Sequence, residues 1–164
     1  MAELTNLESK LGEVTGLAMA AQVATGKVIK LADGEDPALV AALEKMRAEA
    51  EETERRCTEL AATFDGKKTA ILEEARTTKG KGADMLKIYL DQESDALDGF
   101  EFLTMAEAGE VGHWEVLQQL SAHAGNASVG ELVHWALPIQ QRHFEGALAG
   151  SKTLAASEDP NETA

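Results

Sequence analysis

The stretch "GELVHWALPIQQRHFEGAL", residues 130–148, carries two candidate pairs of metal ligands on one predicted helix. Glu131 and His134 form a Glu-x-x-His pair, whereas Gln140 and His143 have an amide in place of the acid. At about 100° per residue, Gln140 and His143 fall on the apolar seam of this helix, and the other pair points toward the opposite face. We therefore expect Gln140 and His143 to face the protein interior.

Two glutamates lie in the apolar stripe of the preceding predicted helix. Glu107 and Glu110 fall on the same face as Leu103 and Trp114. Burying an unpaired carboxylate is unfavourable, so a cation, a metal ion or hydrogen-bond donors are expected beside them. His113 lies at the edge of the stripe, where it is able to turn toward Glu110. The alternative is that both glutamates reach water at the rim of the fold.

The spacing of apolar residues predicts an all-α fold with one domain, residues 1–157. Residues 4–64 and 95–155 each contain two helical seams and predict two antiparallel helical hairpins. Residues 65–94 would form a long crossover between the hairpins, and the polar residues 158–164 a flexible tail.

Glycines and lysines in the crossover predict only short helical pieces there, one at residues 69–76 and another beginning at Met85. Thr5 or Asn6 is expected to cap the first long helix, and Ser128 the last one.

The composition limits the classes of partner. The formal net charge of −14 repels nucleic acids and anionic membrane surfaces, so neither is expected to bind. No stretch approaches the roughly 18 apolar residues that span a membrane, and the N-terminal sequence does not have the pattern of a secretion signal. Cys57 is the single cysteine and excludes an intramolecular disulfide, which favours a cytoplasmic location.

The order Glu107, Gln140, His143 resembles the ferritin-like superfamily of bacterioferritins and rubrerythrins. In that family each helical hairpin supplies one glutamate from its first helix and a Glu-x-x-His pair from its second. The resemblance implies a ferritin-like antiparallel four-helix bundle. It also implies that Glu107 is the single glutamate, that Gln140 replaces the acid of the pair, and that His143 is its histidine.

The first hairpin aligns with the second as a weak internal duplication. The aligned pairs are Ala21 with Glu107, Glu54 with Gln140, and Cys57 with His143. Because Ala21 has no donor atom and Cys57 replaces a histidine, the ligand set of the first half is incomplete.

The candidate metal ligands are Glu54, Glu107, Glu110, His113, Gln140 and His143. Carboxylate and imidazole ligands suit iron or manganese, and zinc is a further option. The amide of Gln140 is a weaker ligand that would otherwise orient a neighbouring glutamate. Cys57 is expected to be a buried structural thiol, and its participation would favour zinc.

Two functions follow from this set of residues. The first is a cytoplasmic ferritin-like protein that binds a transition metal for iron handling or protection from oxidative stress. The second is a metal-free bundle, stabilised by pairs such as Glu107–Gln140 and Glu110–His143, that acts as a non-catalytic interaction or structural module. Neither of these two functions specifies a chemical reaction. A homodimer is the expected assembly, and a protein partner is left unspecified.

Overall fold

The computed structural model describes residues 2–163 and contains five helices in that range. They are α1 (Asn6–Leu31), α2 (Pro37–Ala61), α3 (Lys68–Tyr89), α4 (Ala96–Ala124) and α5 (Ala127–Ala155). No strand occurs in the described range, so the predicted all-α class is confirmed. None of these helices combines the length and the apolar character needed to cross a membrane. Met1 and Ala164, the outer ends of the predicted domain and tail, lie outside the described residues.

The helix ends agree with the sequence at α1 and differ at α5. Thr5 caps α1 in a reciprocal pair of hydrogen bonds with Glu8, as one of the two predicted caps. Gly125 ends α4 in the left-handed conformation, with φ of 63°. Asn126 then caps α5, its side chain accepting a backbone N–H at 3.0 Å. The prediction of Ser128 as the cap is wrong because this residue already lies inside the first turn.

The long helices form two antiparallel pairs, α1 with α2 and α4 with α5, which also contact each other. In the second pair, Phe100 near the start of α4 faces Gly150 near the end of α5. At the other end of the pair, Ser121 lies beside Gly130. α4 and α5 therefore run in opposite directions along each other.

The crossover differs from its prediction, because α3 is one continuous helix instead of a short piece at residues 69–76 and a separate one beginning at Met85. It runs parallel to α1, whose Gly12 and Gly16 lie against the backbone carbonyls of Ile71 and Ala75. A Cβ atom at either glycine would overlap these carbonyls, so glycine is required for this close approach.

Glycine within α3 did not end the helix, although each glycine lowers helix stability by about 1 kcal/mol relative to alanine. Gly82 lies where a Cβ would be only 2.7 Å from that of Ala20, so it too allows the close approach to α1. Burial of Ile71, Ala75 and Leu86 against the rest of the fold offsets the unfavourable local propensity.

The apolar core consists of two clusters separated by a polar layer. The Phe100 cluster includes Val28, Leu43, Met46, Phe100, Leu103 and Leu154. The Trp114 cluster includes Leu11, Val14, Ile71, Trp114, Leu117 and Val133. Between them α1 and α2 contribute small buried residues, Ala18, Ala21, Ala50 and Thr53, whereas α4 and α5 contribute Glu107, Glu110, Gln140 and His143. The candidate site therefore lies between the two apolar clusters of the core.

We predict that Gly16→Ala lowers the free energy of unfolding by about 2–3 kcal/mol, because the added methyl group forces α3 away from α1. Urea denaturation followed by circular dichroism measures the change. Gly112→Ala is the matched control, since no atom outside its own helix neighbourhood lies within 4 Å of its added Cβ. It should stabilise the protein by about 0.5–1 kcal/mol. Equal stability of Gly16→Ala and the wild type would contradict the close packing.

Candidate functional site

Glu107 is the centre of the polar layer, with 1% of its surface exposed. The side-chain amide of Gln140 donates a hydrogen bond to its carboxylate. One turn further along α5, Nδ1 of His143 lies 3.6 Å from Oε2 of the same carboxylate. Glu131 and His134 are exposed, as the helix periodicity predicts. The structure thus brings together the three residues on which the ferritin-like resemblance is based.

His143 also links this group to α2. Its Nε2 lies 2.7 Å from Oε2 of Glu49, and the other oxygen of Glu49 accepts a hydrogen bond of 3.0 Å from Arg142. Gln140, Glu107, His143, Glu49 and Arg142 therefore form one continuous chain of polar contacts across α4, α5 and α2. We refer to these five residues as the polar chain.

Glu49 is a member of the polar chain that the sequence interpretation missed. It precedes the seam residue Ala50 and is partly exposed, so its position on α2 is marginal. The only indication in the sequence was that Glu49 is an acidic residue next to the apolar seam of α2. Nearby Glu51 and Glu52 carry the same charge on the same helix, so that signal did not single out Glu49.

The environment of His143 favours the imidazolium form. Burial opposes the charged ring, but the contacts with the Glu107 and Glu49 carboxylates outweigh it and raise the pKa of His143. Each ring nitrogen faces a carboxylate oxygen, which suits a ring that donates from both nitrogens. An imidazolium has no lone pair available for a metal ion.

Glu110 lies one turn after Glu107 and is 4% exposed. Burial, and then the charge of Glu107, raise the pKa of Glu110 well above its ordinary value. No cation or hydrogen-bond donor among residues 2–163 counteracts these two effects, so the protonated carboxyl is favoured. The Glu110–His143 pair suggested by the sequence does not form, because His143 contacts Glu49 and Glu107 instead.

The two remaining candidates are engaged outside the polar chain. The His113 side chain is 40% exposed, and its Nδ1 lies 3.1 Å from Oε2 of Glu13 on α1. Glu54 accepts a hydrogen bond of 2.6 Å from Gln22. Each of these two side chains therefore pairs with a residue of α1, Gln22 or Glu13, and not with Glu107.

Cys57 is fully buried, as expected for a structural thiol. Burial raises the pKa of Cys57 to about 12; the hydrogen bond with the Thr15 hydroxyl partly offsets this effect, and the charges of Glu110 and Glu54 add to it. The thiol is therefore protonated at neutral pH, and its environment does not favour the thiolate that metals prefer.

The donor atoms of the polar layer do not match a two-metal centre. Such a centre in a helical bundle uses about four carboxylates and two histidines that point to one place. Across the described residues, no group of three or more His, Cys, Asp or Glu side chains is arranged to hold a metal ion. The carboxylates and the imidazole of the polar chain are instead directed at one another.

Comparison of the chain with protein-family models, with curated proteins and with solved structures found no match in any of the three.

We predict that Glu110→Gln increases stability at neutral pH. The folded pKa of Glu110 lies above its unfolded value, about 4.3, so its contribution to stability is lost as the pH rises from that value through the folded pKa. Glutamine removes this loss, and the variant should exceed the wild type by about 1–3 kcal/mol at pH 7.5. The difference should shrink toward pH 4.

Urea denaturation at several pH values measures this effect, with the exposed Glu101→Gln on the same helix as the control. A constant difference between wild type and Glu110→Gln across this pH range would contradict the raised pKa of Glu110, because it would mean that the folded and unfolded states bind its proton equally.

We predict that Glu49→Gln lowers the pKa of His143, because it removes one of the two carboxylates that stabilise the imidazolium. An NMR titration of the histidine ring protons measures the shift, and the other histidines serve as internal references. Glu51→Gln, at an exposed position on the same helix, should leave the His143 titration unchanged. An unaltered His143 pKa in Glu49→Gln would remove Glu49 from the polar chain.

Proposed function

We propose that this chain is a ferritin-like bundle that acts as a metal-free, non-catalytic binding or structural module. The observation that carries the proposal is the use of both ring nitrogens of His143 by carboxylates. In the family that the sequence resembles, this histidine would be a metal ligand. Here its position supports an ion-paired imidazolium in place of a metal ion.

The charges of the polar chain balance without any added ion. The carboxylates of Glu107 and Glu49 face the imidazolium of His143 and the guanidinium of Arg142. Gln140 supplies a neutral donor to Glu107 where the family pattern has a second acid. A buried network of this kind is stabilising when each member has a partner, and it fixes how the helices fit together.

The helix arrangement supports the ferritin-like part of the proposal. Two antiparallel helical pairs lie side by side, and α3 connects them by running along the outside of α1. At the end of α3, Ile88 and Tyr89 are 77% and 55% exposed. Large apolar side chains on a surface are consistent with a protein partner or a second copy of the chain, which the module role requires.

Metal binding is the second candidate, and Glu110 is the observation that favours it. This buried carboxyl lies beside Glu107 without a cation to neutralise it. A single iron, manganese or zinc ion would supply that charge, with Glu107 and a deprotonated His143 as further ligands. Iron handling or protection from oxidative stress belongs to this candidate.

Metal analysis distinguishes the two candidates. Protein purified from cells grown with added iron, manganese and zinc should contain no stoichiometric metal. In the presence of a chelator, Gln140→Glu should lose about 2–4 kcal/mol of stability at pH 7.5, because two buried carboxylates would face each other. The exposed Gln141→Glu is its matched control. A stoichiometric metal in the wild type that Glu107→Ala loses would establish the metal-binding function instead.

A further inference from the structure

A cavity of about 240 Å³ lies between α1, α3 and α4. Its α1 wall is made of small side chains, including Ala20, Ala21 and Ala24, and Gly82 lies on the α3 side. On the α4 side the wall includes Glu107 and Glu110. The space is therefore mostly apolar, with two acids on one side.

The exposure of the lining residues shows which side of the cavity faces the solvent. Met85, Met105 and His113 line it and are each about two-fifths exposed. Glu107 and Glu110 line it and are buried. A molecule that enters past the two methionines would therefore reach the acids at the inner end.

The internal duplication of the sequence explains why the cavity exists. Ala21 aligns with Glu107 in sequence, and both residues line the same cavity. An alanine at this position in place of a longer side chain leaves room opposite the acids of α4. The glycine at position 82 removes a further side chain from the α3 wall.

Glu110 makes the cavity more than a packing defect. It is buried, it lines the cavity, and no donor or cation in residues 2–163 neutralises it. An unpartnered carboxyl in an apolar environment is unfavourable, and a ligand that supplies donors and positive charge relieves the cost. Glu107 differs, because it already has Gln140 and His143 as partners.

We infer that this cavity binds a small organic cation, a primary alkylammonium whose charged group contacts Glu110 and whose alkyl chain packs against Ala20 and Ala21. The net charge of −14 raises the local concentration of cations and disfavours anions. A cavity of about 150 Å³ holds benzene, which has six non-hydrogen atoms, so up to about nine such atoms fit in this cavity of about 240 Å³. The acid that binds the cation, Glu110, is not a member of the polar chain, so the inference does not depend on the proposed function.

Isothermal titration calorimetry with hexylamine at pH 7 tests the site. The wild type should bind one hexylammonium ion per chain, more tightly than the neutral 1-hexanol and the anionic hexanoate. Ala21→Leu fills the cavity and should weaken binding at least about ten-fold. Ala108→Leu makes the same change at an exposed position of α4 and should leave the affinity unchanged. Hexylamine binding to Ala21→Leu with wild-type affinity would overturn the site.

Glu110→Gln tests the role of the charge. It should weaken hexylamine binding about ten-fold or more and leave 1-hexanol binding nearly unchanged, because the ammonium, unlike the alcohol, stabilises the ionised form of the Glu110 carboxyl when it binds. If the two ligands bind the wild type equally, or if Glu110→Gln has no effect on hexylamine, the cavity is not a cation site.

Methyl NMR of the methionines gives a readout that does not depend on the folding of Ala21→Leu. Hexylamine should shift the methyl signals of Met85 and Met105, which line the cavity, and leave that of Met46, which lies in the Phe100 cluster. Shifts at Met46 without shifts at Met85 and Met105 would place the ligand elsewhere and contradict the inference.

Discussion

The contact between the Glu107 carboxylate and the His143 imidazolium is the constraint on which the middle of the bundle depends. Both groups are buried, so each must be compensated or the fold would lose several kcal/mol. Gln140 and Glu49 supply the remaining partners, and Glu49 in turn pairs with Arg142 near the surface. The buried charges are therefore compensated by a series of contacts that runs over α5 and α2 and ends at Arg142 near the surface.

Much of the fold follows from the sequence because amphipathic seams are a local property. The seams identify α1, α2, α4 and α5, and the composition of their connections identifies the hairpins. The continuity of α3 was missed for a tertiary reason. Its glycines argue against a helix locally, but Gly12 and Gly16 on α1 provide the surface that makes this helix favourable. The sequence of residues 65–94 alone does not indicate that α1 offers this glycine surface.

Helix periodicity predicts which residues of the site are buried but does not predict which residues of the neighbouring helices they contact. Helix phase places Glu107, Gln140 and His143 inside, and the structure agrees. Phase does not determine which acid of a neighbouring helix meets a buried histidine, so Glu49 was missed. The same limitation explains Glu54 and His113, whose side chains find partners on α1 that the sequence of their own helices does not reveal.

The separation of the core into two clusters by a polar layer has a consequence for helix alignment. Purely apolar helices tolerate axial slippage, since one leucine fills the place of another. Sliding α4 against α5 by one turn, about 5.4 Å, would separate the Glu107 carboxylate from either Gln140 or His143, because these two partners are themselves about one turn apart. The buried acid thereby selects a single register for the two helices, and the apolar clusters on either side need only fill the volume which that register leaves.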